Sequence, residues 1–160
     1  MRRRHFLIGG SGLLAGALVP FIASAKDSAA ARWKALLPKA SYLVLFEEDT
    51  EPSGSSPLNK EKRAGTYICA ACYQPLFNSN TKFESGTGWP SFYDFIPRAL
   101  GTKTDYKAIW PRKEYHCSRC KGHQGHVFDD GPKPTGLRYC NNGVALRFIP
   151  TTEKLPELRA

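Results

Sequence analysis

A chain of 160 residues that is 41% hydrophobic and 12% aromatic has enough apolar mass for a packed core, which excludes an intrinsically disordered protein. Its formal charge of +9 falls to +6, 20 basic against 14 acidic side chains, once the acid-free first 25 residues are set aside. That surplus is scattered; it steers acidic partners but does not mark a nucleic-acid binder, which needs a clustered basic face.

Residues 1–25 read as an export signal and not as fold. Arg2, Arg3 and Arg4 form a charged start, Phe6–Ala23 is an apolar and small-residue run, and Ala23-Ser24-Ala25 is a small-residue cleavage site. Cleavage there starts the mature chain at Lys26 and leaves no stable membrane anchor. Retention as an N-terminal anchor is the alternative, since the run is about long enough for a bilayer; its glycines and cleavage site oppose that. Arg3-Arg4-His5-Phe6-Leu7 resembles the twin-arginine motif of bacterial signals. That resemblance implies export of an already folded protein to the bacterial periplasm, with the unfolded-chain route as the competing pathway.

Residues 26–38 form a lead-in, and its small, polar start at Lys26–Arg32 is expected to be loose. Tyr42–Phe46 suits a strand or one buried turn of helix, because periodicity does not separate the two over five residues. Glu51–Asn59 is a loop by composition. Gly65–Ile68 has strand chemistry and leads into the first of two cysteine pairs.

Of the five cysteines, Cys69 and Cys72, then Cys117 and Cys120, fall in C-x-x-C pairs, and Cys140 is left over. Two residues between cysteines let both sulfurs turn onto one ion, and two such turns complete a tetrahedral four-cysteine site. The pairs lie farther apart than in a usual zinc ribbon, so one metal ion would tie two distant hairpins together. Four sulfurs leave no open position, which makes such a site structural. Zinc is the expected ion, and iron suits the same donors. Disulfides compete, because an exported protein meets an oxidising compartment. Metal loading before export would remove that objection. A redox C-x-x-C is a third reading, but neither pair opens a helix in a βαβ pattern.

Within Thr81–Phe95, four of the aromatic residues, Trp89, Phe92, Tyr93 and Phe95, crowd a short space after a turn bracketed by Gly86 and Gly88. Such aromatics usually form a core corner. A Trp held before Pro90 also suits a small apolar pocket for a sulfur-bearing group, since sulfur against an aromatic ring is favourable.

His123–Asn142 concentrates the remaining chemistry: His123 and His126 three apart, the adjacent Asp129 and Asp130, then Arg138, Cys140 and Asn142. On a strand over Leu137–Asn142 the last three share a face. A guanidinium two residues from a thiol favours the thiolate. The plainer readings are a buried cysteine on an ordinary strand, histidines in core hydrogen bonds, and aspartates capping the turn before Gly131-Pro132.

Gly-Thr-Tyr-Ile-Cys-Ala-Ala-Cys (65–72), Ser-Gly-Thr-Gly-Trp-Pro-Ser-Phe (85–92), Gly-His-Val-Phe-Asp-Asp-Gly-Pro (125–132) and Gly-Leu-Arg-Tyr-Cys-Asn-Asn (136–142) together resemble the B-type peptide-methionine sulfoxide reductases, which act on the R epimer. The resemblance spans residues 39–150 and leaves 151–160 as a C-terminal tail. It implies a mainly β fold with two small antiparallel sheets, short N-terminal helical segments including one near Tyr42–Phe46, and one zinc ion on Cys69, Cys72, Cys117 and Cys120. It further implies that Cys140 is the nucleophile and that Trp89 packs on the substrate methyl group. His123, His126 and Asp130 match the polar network around the sulfoxide oxygen, and Arg138 and Asn142 match the residues flanking the nucleophile. The chemistry agrees, since a sulfoxide is a poor electrophile until its oxygen is protonated.

One position departs from the family pattern. Many members carry a second, resolving cysteine in the slot that Thr87 occupies here. With the other cysteines committed to metal, attack is expected to leave a Cys140 sulfenic acid, which an external thioredoxin-like dithiol must reduce. The expected substrate is methionine-R-sulfoxide, mainly in oxidised proteins, and the chain is expected to act as a monomer. Two other functions compete: an exported zinc-ribbon-like binding module without catalysis, and a thiol-disulfide oxidoreductase. A pure zinc module has no use for the Arg138–Cys140–Asn142 face, and a redox C-x-x-C protein would carry disulfides that open with mild reductant.

Overall fold

A computed structural model describes residues 25–107 and 110–159. The segment read as an export signal lies, up to residue 24, outside the described residues. No helix among the described residues is long and apolar enough to cross a membrane.

The lead-in expected to be loose is helical, α1 (Ala25–Leu36). Alanine is the residue that enters a helix at least cost, and this segment holds five. Its far end is anchored by Trp33, which is buried and stacks on Phe46 with ring centroids 5.9 Å apart. Pro38 ends α1 and precedes α2 (Lys39–Glu47), so the ambiguous Tyr42–Phe46 stretch is helix. Ser41, Tyr42, Val44 and Leu45 form its buried face, and the helix stops where Glu48 turns left-handed at φ 57° and donates its N–H to the Leu43 carbonyl.

Nine strands follow among the described residues: β1 (Gly65–Cys69), β2 (Pro75–Asn78), β3 (Lys82–Phe83), β4 (Ser91–Phe92), β5 (Leu100–Asp105), β6 (Arg112–Cys117), β7 (His123–Phe128), β8 (Arg138–Asn141) and β9 (Leu146–Pro150). They form two antiparallel sheets, ordered β2-β1-β9 and β3-β4-β8-β7-β6-β5. The mainly β architecture with short helices is the one the sequence led us to expect. Aromatic rings from both sheets meet between them. Phe77 of β2 stacks on Phe92 of β4 at 4.1 Å and 11°, Tyr67 of β1 meets Phe92 edge-on at 4.9 Å, and Tyr115 and Tyr139 complete the cluster. These rings are almost wholly buried, so they contribute both area and oriented contacts.

The register of the larger sheet positions the chemistry. β8 lies between β4 and β7, with Ser91 opposite Cys140 on one side and His126 opposite Cys140 on the other. The order of strands, not proximity in sequence, thus assembles a thiol, an imidazole and a hydroxyl.

The tail after β9 returns to the first cysteine turn. Arg159 donates its backbone N–H to the Cys72 carbonyl (3.0 Å), Nε–H to the Ala71 carbonyl (2.7 Å) and Nη2–H to the Ala70 carbonyl (2.9 Å). Its guanidinium also sits 4.4 Å from the Tyr73 ring centroid and 5.6 Å from that of Trp33. Arg159 therefore ties α1, through Trp33, to the first cysteine turn. Arg159→Ala is expected to cost about 2 kcal/mol of stability, measured by denaturant titration. Arg159→Lys should recover only part of it, because an ammonium lacks the planar fork.

Candidate active site and metal centre

The two cysteine turns are near copies. In each, the residue after the second cysteine is left-handed (Tyr73 φ 64°, Lys121 φ 63°) and donates its N–H to the carbonyl of the first (Cys69, Cys117) at 3.0 Å. In each, the N–H of the first cysteine bonds the carbonyl two residues past the second, Gln74 or Gly122 in position, at 2.8 and 2.9 Å. For Gly122 the close packing decides the residue: a Cβ there would lie 2.8 Å from Leu45 Cδ2 and 3.3 Å from Cys120 Sγ.

These turns bring all four sulfurs within 4.8 Å of one another. Cys69 Sγ stands 3.6 Å from Cys120 Sγ, and Cys72 Sγ stands 3.5 Å from Cys117 Sγ. The edge of a zinc–thiolate tetrahedron is about 3.8 Å, whereas a disulfide bond is about 2 Å. The spacing fits one ion held by four thiolates and not two disulfides. Gln124 Nε2 donates to Cys69 Sγ at 3.6 Å and so orients one of the sulfurs.

The second centre is a cavity of about 120 Å³ lined by Thr50, Trp89, Arg112, Gly125, His126, Phe128, Cys140, Asn141 and Asn142. Of the residues singled out in the sequence, Cys140, His126, Trp89 and Asn142 line it. His123 does not: it is buried behind His126, ring centroids 5.4 Å apart, with Nδ1 3.2 Å from Glu114 Oε1 but without the alignment of a hydrogen bond. Asp130 and Arg138 also lie off the lining. Asp130 grips Arg138 through Nε and Nη2, both at 2.8 Å, and the guanidinium lies 4.3 Å from the Phe128 ring centroid. This ion pair holds the Asp130 carboxyl below its usual range.

The thiol itself is less activated than the Arg138 spacing alone suggests. Burial pushes Cys140 up, and Arg138 and the Thr87 hydroxyl pull it down without cancelling that rise. The resting group is a thiol at neutral pH. Burial likewise lowers His126, against the opposing pull of Asp105, so the imidazole is neutral. Asp105 Oδ2 lies 2.8 Å from His126 Nε2. The Lys107 N–H, then His126 and Arg112, hold Asp105 well below the carboxylate range. A charged carboxylate only accepts, so Nε2 carries the proton and donates, and Nδ1 keeps its lone pair.

Residues the sequence reading missed do much of the positioning. Asp105 and Arg112, joined at 2.8 Å, sit on the β5–β6 hairpin outside every motif block. Glu51 is buried in the loop after α2; its carbonyl accepts the Trp89 indole N–H at 3.0 Å and its carboxylate accepts the Gly143 and Val144 N–H groups just past β8. Asn142 closes the arrangement, accepting the Glu51 N–H at 3.1 Å and donating to the Gln124 carbonyl at 3.1 Å. Glu51 thereby couples the position of the indole to the position of the thiol strand. An acid before a proline at the end of an acidic run gives no sign of this in sequence.

Gly125 carries a steric requirement. A Cβ there would meet the Cys140 carbonyl oxygen at 1.8 Å. Gly125→Ala must therefore push β8 away from β7, and an ångström-scale displacement of the thiol is expected to cut turnover about 100-fold. Steady-state rates beside a thermal melt check this, since the destabilisation should be only about 1–3 kcal/mol.

The SelR domain family matches this chain over residues 37–150. The chain is 53% identical over 117 residues to the peptide methionine sulfoxide reductase MsrB of Methanosarcina barkeri, covering 72% of this chain and 82% of that protein. It is 49% identical over 125 residues to the MsrB of Pseudomonas putida strain W619, covering 78% and 94%. Against the chloroplastic peptide methionine sulfoxide reductase B1 of Arabidopsis thaliana the identity is 47% over 117 residues, covering 72% and 58%.

Proposed function

The chain belongs to the B-type peptide methionine sulfoxide reductases, the SelR family, and from that membership we propose how its own residues carry the reaction. The enzyme is a peptide-methionine (R)-S-oxide reductase. The substrate's methyl group packs on Trp89, its sulfur faces Cys140 Sγ, and its oxygen faces His126 and Arg112.

The resting thiol and neutral imidazole together hold the one proton the first step needs. His126 Nδ1 takes it from Cys140, with Nε2–H kept on Asp105, and delivers it to the sulfoxide oxygen. The Arg112 cation stabilises the charge that develops there. The Cys140 sulfur bonds to the sulfoxide sulfur; the oxygen then ends on Cys140, the sulfur–sulfur bond breaks, and methionine leaves. The substrate sulfur is reduced by two electrons and the thiol becomes a sulfenic acid, with no atom gained or lost between them. Arg138, fixed by Asp130, offsets part of the burial cost of the sulfur anion, and Asn142 and His123 hold the strands in register.

The observation that carries the rest is the position of the cysteines. Thr87 occupies the slot beside Cys140, and the other four sulfurs converge on each other. No thiol remains to close a disulfide with Cys140. An external thioredoxin-like dithiol therefore regenerates the thiol, releasing the oxygen as water and leaving as a disulfide. The four thiolates bind one zinc ion, which supplies a structural cross-link and takes no part in the reaction. We place the enzyme in the bacterial periplasm, exported by the twin-arginine route and trimmed after Ala25, acting as a monomer on oxidised proteins. The motif Arg3-Arg4-His5-Phe6-Leu7 and the Ala23-Ser24-Ala25 site support this.

A peptide carrying racemic methionine sulfoxide tests the stereochemistry. Turnover with excess dithiothreitol should stop when the R epimer is consumed and the S epimer remains. Consumption of the S epimer would overturn the assignment.

A further inference from the structure

The slot beside the thiol is not merely lacking a cysteine. Thr87 Oγ1 lies 4.0 Å from Cys140 Sγ and 2.9 Å from Ser85 Oγ. Ser85 Oγ lies 2.7 Å from Ser91 Oγ, and Ser91 Oγ lies 3.1 Å from the Trp89 carbonyl oxygen. Three hydroxyls thus run in line from the sulfur to a backbone carbonyl. The turn geometry builds this file. Gly86 and Gly88 take left-handed φ of 72° and 89° on either side of Thr87, and Ser91 stands opposite Cys140 in the β4–β8 pairing.

The far end has a fixed polarity, because a carbonyl only accepts. Ser91 therefore donates to Trp89, Ser85 donates to Ser91, Thr87 donates to Ser85, and Thr87 Oγ1 is left as an acceptor for the Cys140 S–H. That order suits the resting thiol. Turning only the Thr87 hydroxyl makes it a donor to the sulfur. Ser85 does not lose its donor when this happens, since the Thr87 backbone N–H also faces Ser85 Oγ at 3.4 Å. The file has two complete arrangements that differ by one rotor.

We propose that Thr87, backed by Ser85 and Ser91, is a hydroxyl switch that accepts from the Cys140 thiol at rest and donates to the sulfur anion as it attacks. The slot that would hold a resolving thiol is used here to prepare the attacking one. No proton leaves through the file; the hydroxyls only reorient, and the thiol proton goes to His126 as described. Thr87 touches the reacting sulfur, and Ser85 and Ser91 are positioning residues that act through it. The sulfur anion is also faced by Arg138 of its own strand, whose charge Asp130 partly balances, by His126 of β7, by Tyr115 of β6 and by Arg112 at the cavity wall. None of these contacts is made through the Thr87 hydroxyl.

This inference rests on Cys140 being the attacking sulfur, and its test is independent of turnover. Cys140 is alkylated with iodoacetamide across pH 6–11 in the metal-loaded protein, and the modified Cys140 peptide is quantified by mass spectrometry. Thr87→Val keeps the shape and removes the hydroxyl. It should slow alkylation about tenfold at neutral pH by raising the thiol's pKa about one unit, with the rates converging above that pKa. Thr87→Ser should restore the parent profile, and Ser85→Ala should fall between the two. A Thr87→Val profile that superimposes on the parent, or one lowered equally at every pH, overturns the switch. Neither result would bear on Cys140 itself, whose role is read by its own substitution in turnover.

Discussion

Cys140→Ser is expected to lower turnover of methionine-R-sulfoxide at least about a thousandfold, with circular dichroism, melting temperature and metal content unchanged. The substitution changes one atom. A serine oxygen at this position is not ionised near neutral pH, is a weak nucleophile toward sulfur, and has no accessible oxidised state to receive the substrate's oxygen. The fold should not notice, because Cys140 stands on β8 apart from the four clustered sulfurs and its backbone makes the same strand pairings in either form. A variant that folds and binds metal but does not turn over separates the reaction from the scaffold. It also separates a reductase from a metal-binding module, which would be indifferent to this position.

The second large effect concerns the scaffold. Cys72→Ser, or removal of the metal with a strong chelator, is expected to abolish cooperative unfolding at ordinary temperatures. The magnitudes decide this. A structural zinc site is worth about 10–16 kcal/mol of apparent binding energy, and a domain of this size is stable by only about 5–15 kcal/mol. The sulfur contacts that pair across the cluster span 45 and 51 residues, so an ion held there would close long loops. It would also join the β1–β2 turn of one sheet to the β6–β7 turn of the other, and without it the sheets would be held by the aromatic cluster and short connections. Chelation followed by calorimetry measures the loss. A melting curve unchanged on full metal removal would contradict the structural role. Arg159 should behave as a smaller version of the same effect, because it supports one of the two turns from outside.

How much of this was legible in the sequence follows from what each residue interacts with. The four clustered cysteines and Cys140 were legible because their chemistry is local: C-x-x-C is one turn, and a fifth cysteine with no partner stands out. The β character of Gly65–Ile68 and the turn at Gly86–Gly88 were legible for the same reason. The helix at Ala25–Leu36 was not legible because its small and polar residues show no apolar period, and because Trp33 finds its stacking partner, Phe46, only on the next helix. Asp105, Arg112 and Glu51 were not legible at all. Their roles exist only in tertiary hydrogen bonds, to His126, to Trp89 and to the turn past β8, which no spacing rule encodes. The state of Cys140 was half legible. The Arg138 charge can be read two residues away, but the burial that outweighs it belongs to the folded site.

The most direct measurement is a single turnover without reductant. One equivalent of methionine-R-sulfoxide peptide is mixed with the metal-loaded enzyme, and the products are read by intact mass and peptide mapping. One equivalent of methionine, one oxygen added to Cys140 and trapped there by dimedone, and no disulfide are expected. Methionine formed while Cys140 stays unmodified, or an intramolecular disulfide from Cys140 to another cysteine of the chain, would contradict this mechanism.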